Sequence, residues 1–315
     1  MERNLGPELL AADQAGVERA AHLLREGRLV AVPTETVYGL TARADRDESV
    51  AAIYRAKGRP SFNPLIVHIA DLASAQALAD FDERALRLAR AFWPGALTMV
   101  LPLREGAPVA AAVTAGLPTV ALRCPAHPVM RAVIAESGQA LAGPSANRSG
   151  GVSPTCAEHV VASLGGNVDA VVDGGACEAG VESTIVALRE EGRWQVLRPG
   201  PIPEAHIREI LGVDSDAVTS QAIEAPGQLA SHYAPGKPVR LNADMAEQDE
   251  FHIGFGNVAG DVSLSPSGDL IEAASRLYAL LHEGAAADQP RIAVAPIPGE
   301  GVGAAINDRL SRAAA

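Results

Sequence analysis

PTETVYGLTARADRDESVAAIYRAKGRPSFNPLIVHI, residues 33–69, runs through turn, helix and strand signals in one short span. An apolar strand, Leu29 to Val32, leads into a polar turn, and Glu48 to Ala56 has the character of a helix that delivers Lys57, Gly58 and Arg59. A second strand, Leu65 to Ile69, then carries His68. A lysine and an arginine two residues apart at a helix end can converge on one polyphosphate, the arginine as a planar fork and the lysine as a point charge. On spacing alone the same pair also reads as a solvated helix end, and His68 as a satisfied core histidine.

Composition bounds the rest of the chain. At 315 residues two domains are expected, and 48% apolar with 20% charged residues describes a water-soluble globular protein. Aromatics reach only 3%, so the core must come from Ala, Val, Leu and Ile, which suits an α/β fold. No apolar run approaches ~20 residues, and MERNLGPELLAADQ lacks the basic and apolar regions of a signal peptide. The expected compartment is the cytoplasm, without a membrane. Cys124, Cys156 and Cys177 cannot all pair and lack metal-ligand spacing. The net charge of −12 is uneven: residues 212–315 carry 14 acids against 6 bases, the preceding residues 24 against 20. So acidic a C-terminal part is a poor nucleic-acid surface, which leaves room for a local basic groove on the first part.

Val17, Ala20, Ala21 and Leu24 recur at helical spacing before Gly27, so the chain is expected to open as helix then strand. Leu72–Ala79, Glu83–Phe92, Val129–Glu136, Cys156–Leu164 and Glu204–Leu211 read as helices, the fourth with a Thr155/Glu158 capping box. Leu97–Leu101, Thr119–Arg123, Ala140–Ala142, Ala170–Val172, Thr184–Leu188 and Trp194–Leu197 read as strands. Elements alternate without a strict βαβ rhythm, which predicts a twisted mixed sheet with packed helices. Residues 1–211 are taken as this first domain, 212–237 as a Pro/Gly/Ala-rich linker, and 238–315 as a smaller, Rossmann-like α/β domain.

The chain contains neither GxxxxGK[ST] nor GxGxxG, so phosphates would be held by side chains and by the amides of small-residue turns such as GPSAN. Lys57, Arg59, Asn63, Ser145 and Ser153 are the candidates. Ser145, Asn147, Ser149 and Ser153 also serve as ordinary turn formers, and Arg198 as a surface arginine at a strand end.

PTETVYGL, KGRPSFNPLIVH, FWPGALT, TVALRCP, GPSANRSGGVSPT, GVESTIV and VLRPG follow one another here as they do in the YrdC-like threonylcarbamoyl-AMP synthases, and PGQLASHYAP resembles the linker of the long, two-domain form. The chain is identified as a resembling member on those blocks; its last eighty or so residues resemble the family only by position and length. The resemblance implies condensation of L-threonine, bicarbonate or CO2 and ATP, with Mg2+, into threonylcarbamoyl-adenylate and pyrophosphate. The product would pass to a tRNA threonylcarbamoyl-transferase complex that modifies adenosine 37, with a weak contact to tRNA itself. It assigns Lys57, Arg59, Asn63, Thr119, Ser145, Ser153 and Arg198 to ATP, with Lys57 and Arg59 neutralising the leaving pyrophosphate. Thr36, His68, Arg123, Gly143 and Ser183 fall to threonine, Arg123 as the carboxylate fork, and no protein-bound metal is assigned. It also makes the linker a lid with Tyr233 reaching into the site; read without it, SHYAP is a Pro-terminated tether. Two other function classes stay open: an RNA-binding module of the same fold without ATP turnover, and a carbamoyl-transfer maturation domain. Members of the latter class usually carry zinc-finger and acylphosphatase segments, which this sequence lacks.

Overall fold

The structure is a computed structural model that describes residues 6–217, 223–229 and 231–315; linker residues 218–222 and 230 lie outside it. The chain begins with a strand, β1 (Glu8–Ala11), followed by α1 (Gln14–Arg25), β2 (Val30–Val32), β3 (Gly39–Arg43) and α2 (Asp47–Lys57). Next come β4 (Ile66–His68), α3 (Leu72–Gln76), α4 (Glu83–Phe92), β5 (Leu97–Pro102), α5 (Ala111–Thr114) and β6 (Thr119–Arg123). The first unit finishes with α6 (Pro128–Ser137), β7 (Leu141–Ala142), α7 (Ala157–Leu164), β8 (Ala170–Asp173), β9 (Thr184–Leu188), β10 (Trp194–Arg198) and α8 (Glu204–Leu211).

These strands form one mixed ten-stranded sheet in the order β1-β8-β2-β3-β7-β4-β6-β5-β9-β10. The expected opening of helix then strand is corrected: four residues before α1 already lie in the sheet, with Glu8 opposite Ala170 of β8. The polar turn after β2 is likewise followed by a strand before α2, since β3 folds back antiparallel on β2. The Thr155/Glu158 capping box does not form; Cys156 occupies the cap position without a side-chain bond, and Thr155 faces the His159 ring instead.

Side-chain alternation assigns the two faces of the sheet. Val67, Leu122, Met99 and Val186 point into the large core under α2, α4, α5, α7 and α8. Their neighbours Ile66, Ala121, Val100 and Ile185 point to the other face, where they form a small cluster with Ala225 of the linker. On that second face α1 and α6 cover only the β1-to-β7 end. Over β4, β6, β5 and β9 the sheet is roofed by the linker instead, and His68 and Arg123, two residues on from Ile66 and Ala121, emerge beneath it.

The C-terminal unit contains β11 (Val239–Arg240), β12 (Glu250–Gly254), β13 (Val262–Ser263), α9 (Leu270–Ala286), β14 (Arg291–Val294) and α10 (Gly303–Ala313). Its four strands are all parallel in the order β11-β14-β12-β13, the Rossmann-like arrangement expected.

Candidate active site

The roofed part of the sheet encloses a cavity lined by Thr36, Arg59, His68, Arg123, Gly143, Ser145, Ser183, Arg198 and Tyr233, nine of the residues singled out in the sequence. Lys57, Asn63, Ser153 and Thr119 stand outside the lining, each for a different reason. Lys57 is not a solvated helix end: it is 3% exposed and its ammonium donates to the carbonyls of Ser145 (2.5 Å) and Asn147, bracing the GPSAN turn from behind. Burial, then the neighbouring Arg59, pushes its pKa well below the ordinary lysine value. Asn63 is fully buried and orients Arg59 by accepting its Nη2 at 2.7 Å, while its own Nδ2 has no hydrogen-bond partner among the described residues. The Ser153 hydroxyl donates to Glu182 Oε1 at 2.5 Å. Thr119 lies on the Arg123 face of β6 but at the far end of the strand, half-buried opposite Pro102.

Three arginines from separated parts of the chain converge on the cavity, and each is fixed by backbone carbonyls. Arg59 donates through Nε and Nη2 to Asn63 O and Pro64 O, which leaves its Nη1 hydrogens without a protein acceptor among the described residues. Burial brings its pKa down to about 10. Arg198 is 4% exposed, so the surface reading fails; a register shift after Val196 turns it onto the cavity face, where it donates to Ser183 O and to Pro226 O of the linker.

Arg123 donates to Thr36 Oγ1 at 2.8 Å and to Gly95 O, and it pairs with Glu35 at 2.7 Å. Burial pushes the Glu35 carboxyl up, but the Arg123 charge and hydrogen bonds outweigh it and hold the pKa below the ordinary value. His68 lies 3.2 Å from Gly143 O, and burial followed by Arg123 lowers its pKa to about 3, so the ring is neutral. It is thus a buried histidine and a cavity wall at once.

The linker forms the roof. His232 and Tyr233 are 6% and 1% exposed, Ala234 N donates to Gly150 O, and His232 N donates to Arg312 O of α10. Tyr233 takes a left-handed backbone (φ 65°), a strained conformation for a tyrosine that persists only where its surroundings hold it. A free tether would show none of these features. With the linker packed over it the cavity is about 40 Å³, room for a few waters, whereas small-molecule pockets run to roughly 300–1,000 Å³.

Reading by residue type missed Glu35, Thr34, His232 and above all Glu182, the only carboxylate among the described residues of the lining. Each lies inside a quoted motif, but a lone acid between small residues has the look of a turn. Among the described residues no group of three His, Cys, Asp or Glu could hold a metal ion, and both Glu182 oxygens are already engaged.

Fold and site together define an α/β protein with an arginine-walled cavity covered by an inter-domain linker. Residues 22–200 match the Sua5/YciO/YrdC family model, described as telomere recombination, and residues 202–315 match the model described as threonylcarbamoyl-AMP synthase, C-terminal domain. The chain belongs to this family, in its two-domain form. It is similar to the threonylcarbamoyl-AMP synthases of Bacillus subtilis (46% identity) and Pyrococcus abyssi (45%), over 74% and 70% of this chain and 68% and 66% of those proteins. Among solved structures it is similar to P. abyssi Sua5 complexed with L-threonine, with TM-score 0.88 and 35% identity, covering 98% of this chain and 97% of that one.

Proposed function

We propose that this chain is an L-threonylcarbamoyladenylate synthase, joining L-threonine, bicarbonate or CO2 and ATP into threonylcarbamoyl-AMP with release of pyrophosphate. The observation that carries the reading is the convergence of Arg59, Arg123 and Arg198 on one cavity beneath the linker. Similarity to a threonine complex over nearly the whole chain supports it. The threonine amine bonds to the carbon of CO2 and loses a proton; a carbamate oxygen then attacks the α-phosphorus, and the bond to the β-phosphate oxygen breaks. No enzyme nucleophile is needed. Catalysis is positioning and charge stabilisation, which can lower a barrier by ~7–11 kcal/mol in favourable cases.

Arg123, with Thr36, His68, Gly143 and Ser183 around it, takes the amino-acid end. Arg59 and Arg198 take the phosphates, with Ser145 beside them. Lys57, Asn63 and Ser153 act by holding the turn, Arg59 and Glu182 in place, and Thr119 lies beyond the present lining. Mg2+ enters only as the counter-ion of substrate ATP. Residues 212–237 serve as the lid, which keeps water from an unstable carbamate. The product would go to a transferase acting on adenosine 37 of tRNA in the cytoplasm. A pyrophosphate-release assay that omits one substrate at a time tests the reading. Release that requires all three supports it; salt-sensitive RNA binding with no turnover would favour the RNA-binding module instead.

A further inference from the structure

Glu182 is out of place in an anion site. Free in that wall, its carboxylate would repel a polyphosphate or pair with Arg198 and cancel its charge. What holds it back comes from the other domain. Glu182 Oε2 accepts from Tyr278 of α9 and from Arg309 Nε of α10, both at 2.8 Å, while Oε1 is taken by Ser153. Tyr278 and Arg309 are fully buried. Arg309 also donates to Pro199 O at 2.9 Å and to Asp308 at 2.6 Å, and its guanidinium lies 5.4 Å from the centre of the Tyr233 ring. The two domains meet closely here: a Cβ on Gly180 would lie 2.5 Å from Ala274 O and Ser275 Cα of α9, so only glycine fits.

We propose that Arg309, assisted by Tyr278, is a positioning residue for the nucleotide site. The C-terminal domain supplies the counter-charge that holds the Glu182 carboxylate within the cavity wall, leaving Arg59 and Arg198 for the phosphates. The second domain is then part of the ATP site without touching ATP. This rests on the synthase reading for the identity of the anion. Its physical basis is that a buried carboxylate stripped of its partner takes another or repels what comes near.

The test measures ATP affinity by equilibrium binding, and separately the ATP and threonine KM of pyrophosphate release, in the full chain. Arg309→Met should weaken ATP binding ~10-fold or more, the scale of one uncompensated charge a few ångströms from a phosphate. Adding Glu182→Gln to Arg309→Met should recover most of that loss, because the unwanted charge is gone. Tyr278→Phe, which keeps the ring and loses one bond to Glu182, should shift affinity in the same direction by less. A double variant no better than Arg309→Met would mean a purely structural role and overturn the proposal, as would unchanged ATP affinity in Arg309→Met. If Arg309→Met does not fold, Tyr278→Phe decides, and wild-type affinity there overturns the proposal. A wild-type protein that binds ATP with this dependence yet releases no pyrophosphate would sink the synthase reading and leave the positioning role standing.

Discussion

Lys57 and Arg59 are adjacent to the same turn but do different work, and substitution should separate them. Arg59→Ala removes a guanidinium from the cavity wall, so pyrophosphate release should fall ~10²-fold with a raised ATP KM, and because it also orphans Asn63 O and Pro64 O some stability should be lost with it. Lys57→Ala instead orphans the carbonyls of Ser145 and Asn147, so it should cost ~1–3 kcal/mol of stability along with activity. An unchanged ATP KM in folded Arg59→Ala would refute this division of labour. The motif put both cations close together in the chain; that Lys57 spends its donors on carbonyls depends on a turn some ninety residues away, which no local pattern reveals. A second residue-scale consequence concerns pH. Burial lowers His68 and His232 to about 3, whereas an unfolded histidine takes its proton near 6.5. Depressed folded values mean that their contribution to stability is complete above about pH 6.5 and is lost as pH falls toward 3, at about 1.4 kcal/mol per pH unit for each ring. Glu182, held near 2, adds its own loss only below its unfolded value of 4.5. Thermal melts should therefore fall between pH 6.5 and 4.5, and His232→Gln should remove roughly half of the slope due to this pair. A melting temperature flat across that window would contradict the buried neutral rings.

Elements were legible where alternation or helical spacing was strong. Ile66/Val67 and Ala121/Leu122 each send one residue to the helical core and its neighbour to the cavity face, and that period of two is visible in IVH and TVALR. β1 was not visible, because ELLA is four residues whose pairing partner, β8, lies some 160 residues on. β3 was missed for a related reason: GLTAR has a glycine and an arginine at its ends and follows a polar turn, so only its pairing with β2 and β7 makes it a strand. The turn after β7 offers a test at this scale. Gly143 packs against His68, and a Cβ there would lie 2.9 Å from His68 Cδ2 and 3.1 Å from Nε2. Gly143→Ala should push the imidazole toward Arg123 and raise the threonine KM ~10-fold or more, with a smaller change in the ATP KM, the sensitivity expected of a site displaced by about an ångström. If the ATP KM rises more than the threonine KM, the two ends of the cavity have been assigned the wrong way round.

For the molecule as a whole, the linker is the segment that touches both units beside the cavity. Charge and composition marked residues 212–237 as a boundary, but a polar Pro/Gly stretch looks the same whether it hangs free or packs; the difference lies in contacts to both flanking units. Here Ala234 bonds Gly150 of the first unit, His232 bonds Arg312 of the second, and the Tyr233 ring lies near Arg309 and Tyr278. The cavity beneath them is about 40 Å³, far short of ATP and threonine, so the proposed lid role has the segment open and close again during turnover. Tyr233→Ala should weaken the closed state in two ways: it removes a buried ring from between the domains and leaves Arg309 without its aromatic neighbour. Activity should drop ~10-fold or more, the usual weight of a large buried side chain at a contact, while the sheet of the first unit stays folded. Limited proteolysis supplies the independent readout, since cleavage near Ser231 to Pro235 reports the open population. In the wild-type chain, ATP and threonine together should slow that cleavage relative to ATP alone, because both ends of the cavity must fill before the roof closes fully. In Tyr233→Ala the protection should shrink toward the unliganded rate. Cleavage that is indifferent to ligands in the wild type, with full activity retained in Tyr233→Ala, would reduce the segment to a packed tether and force the site to admit its substrates by some other face.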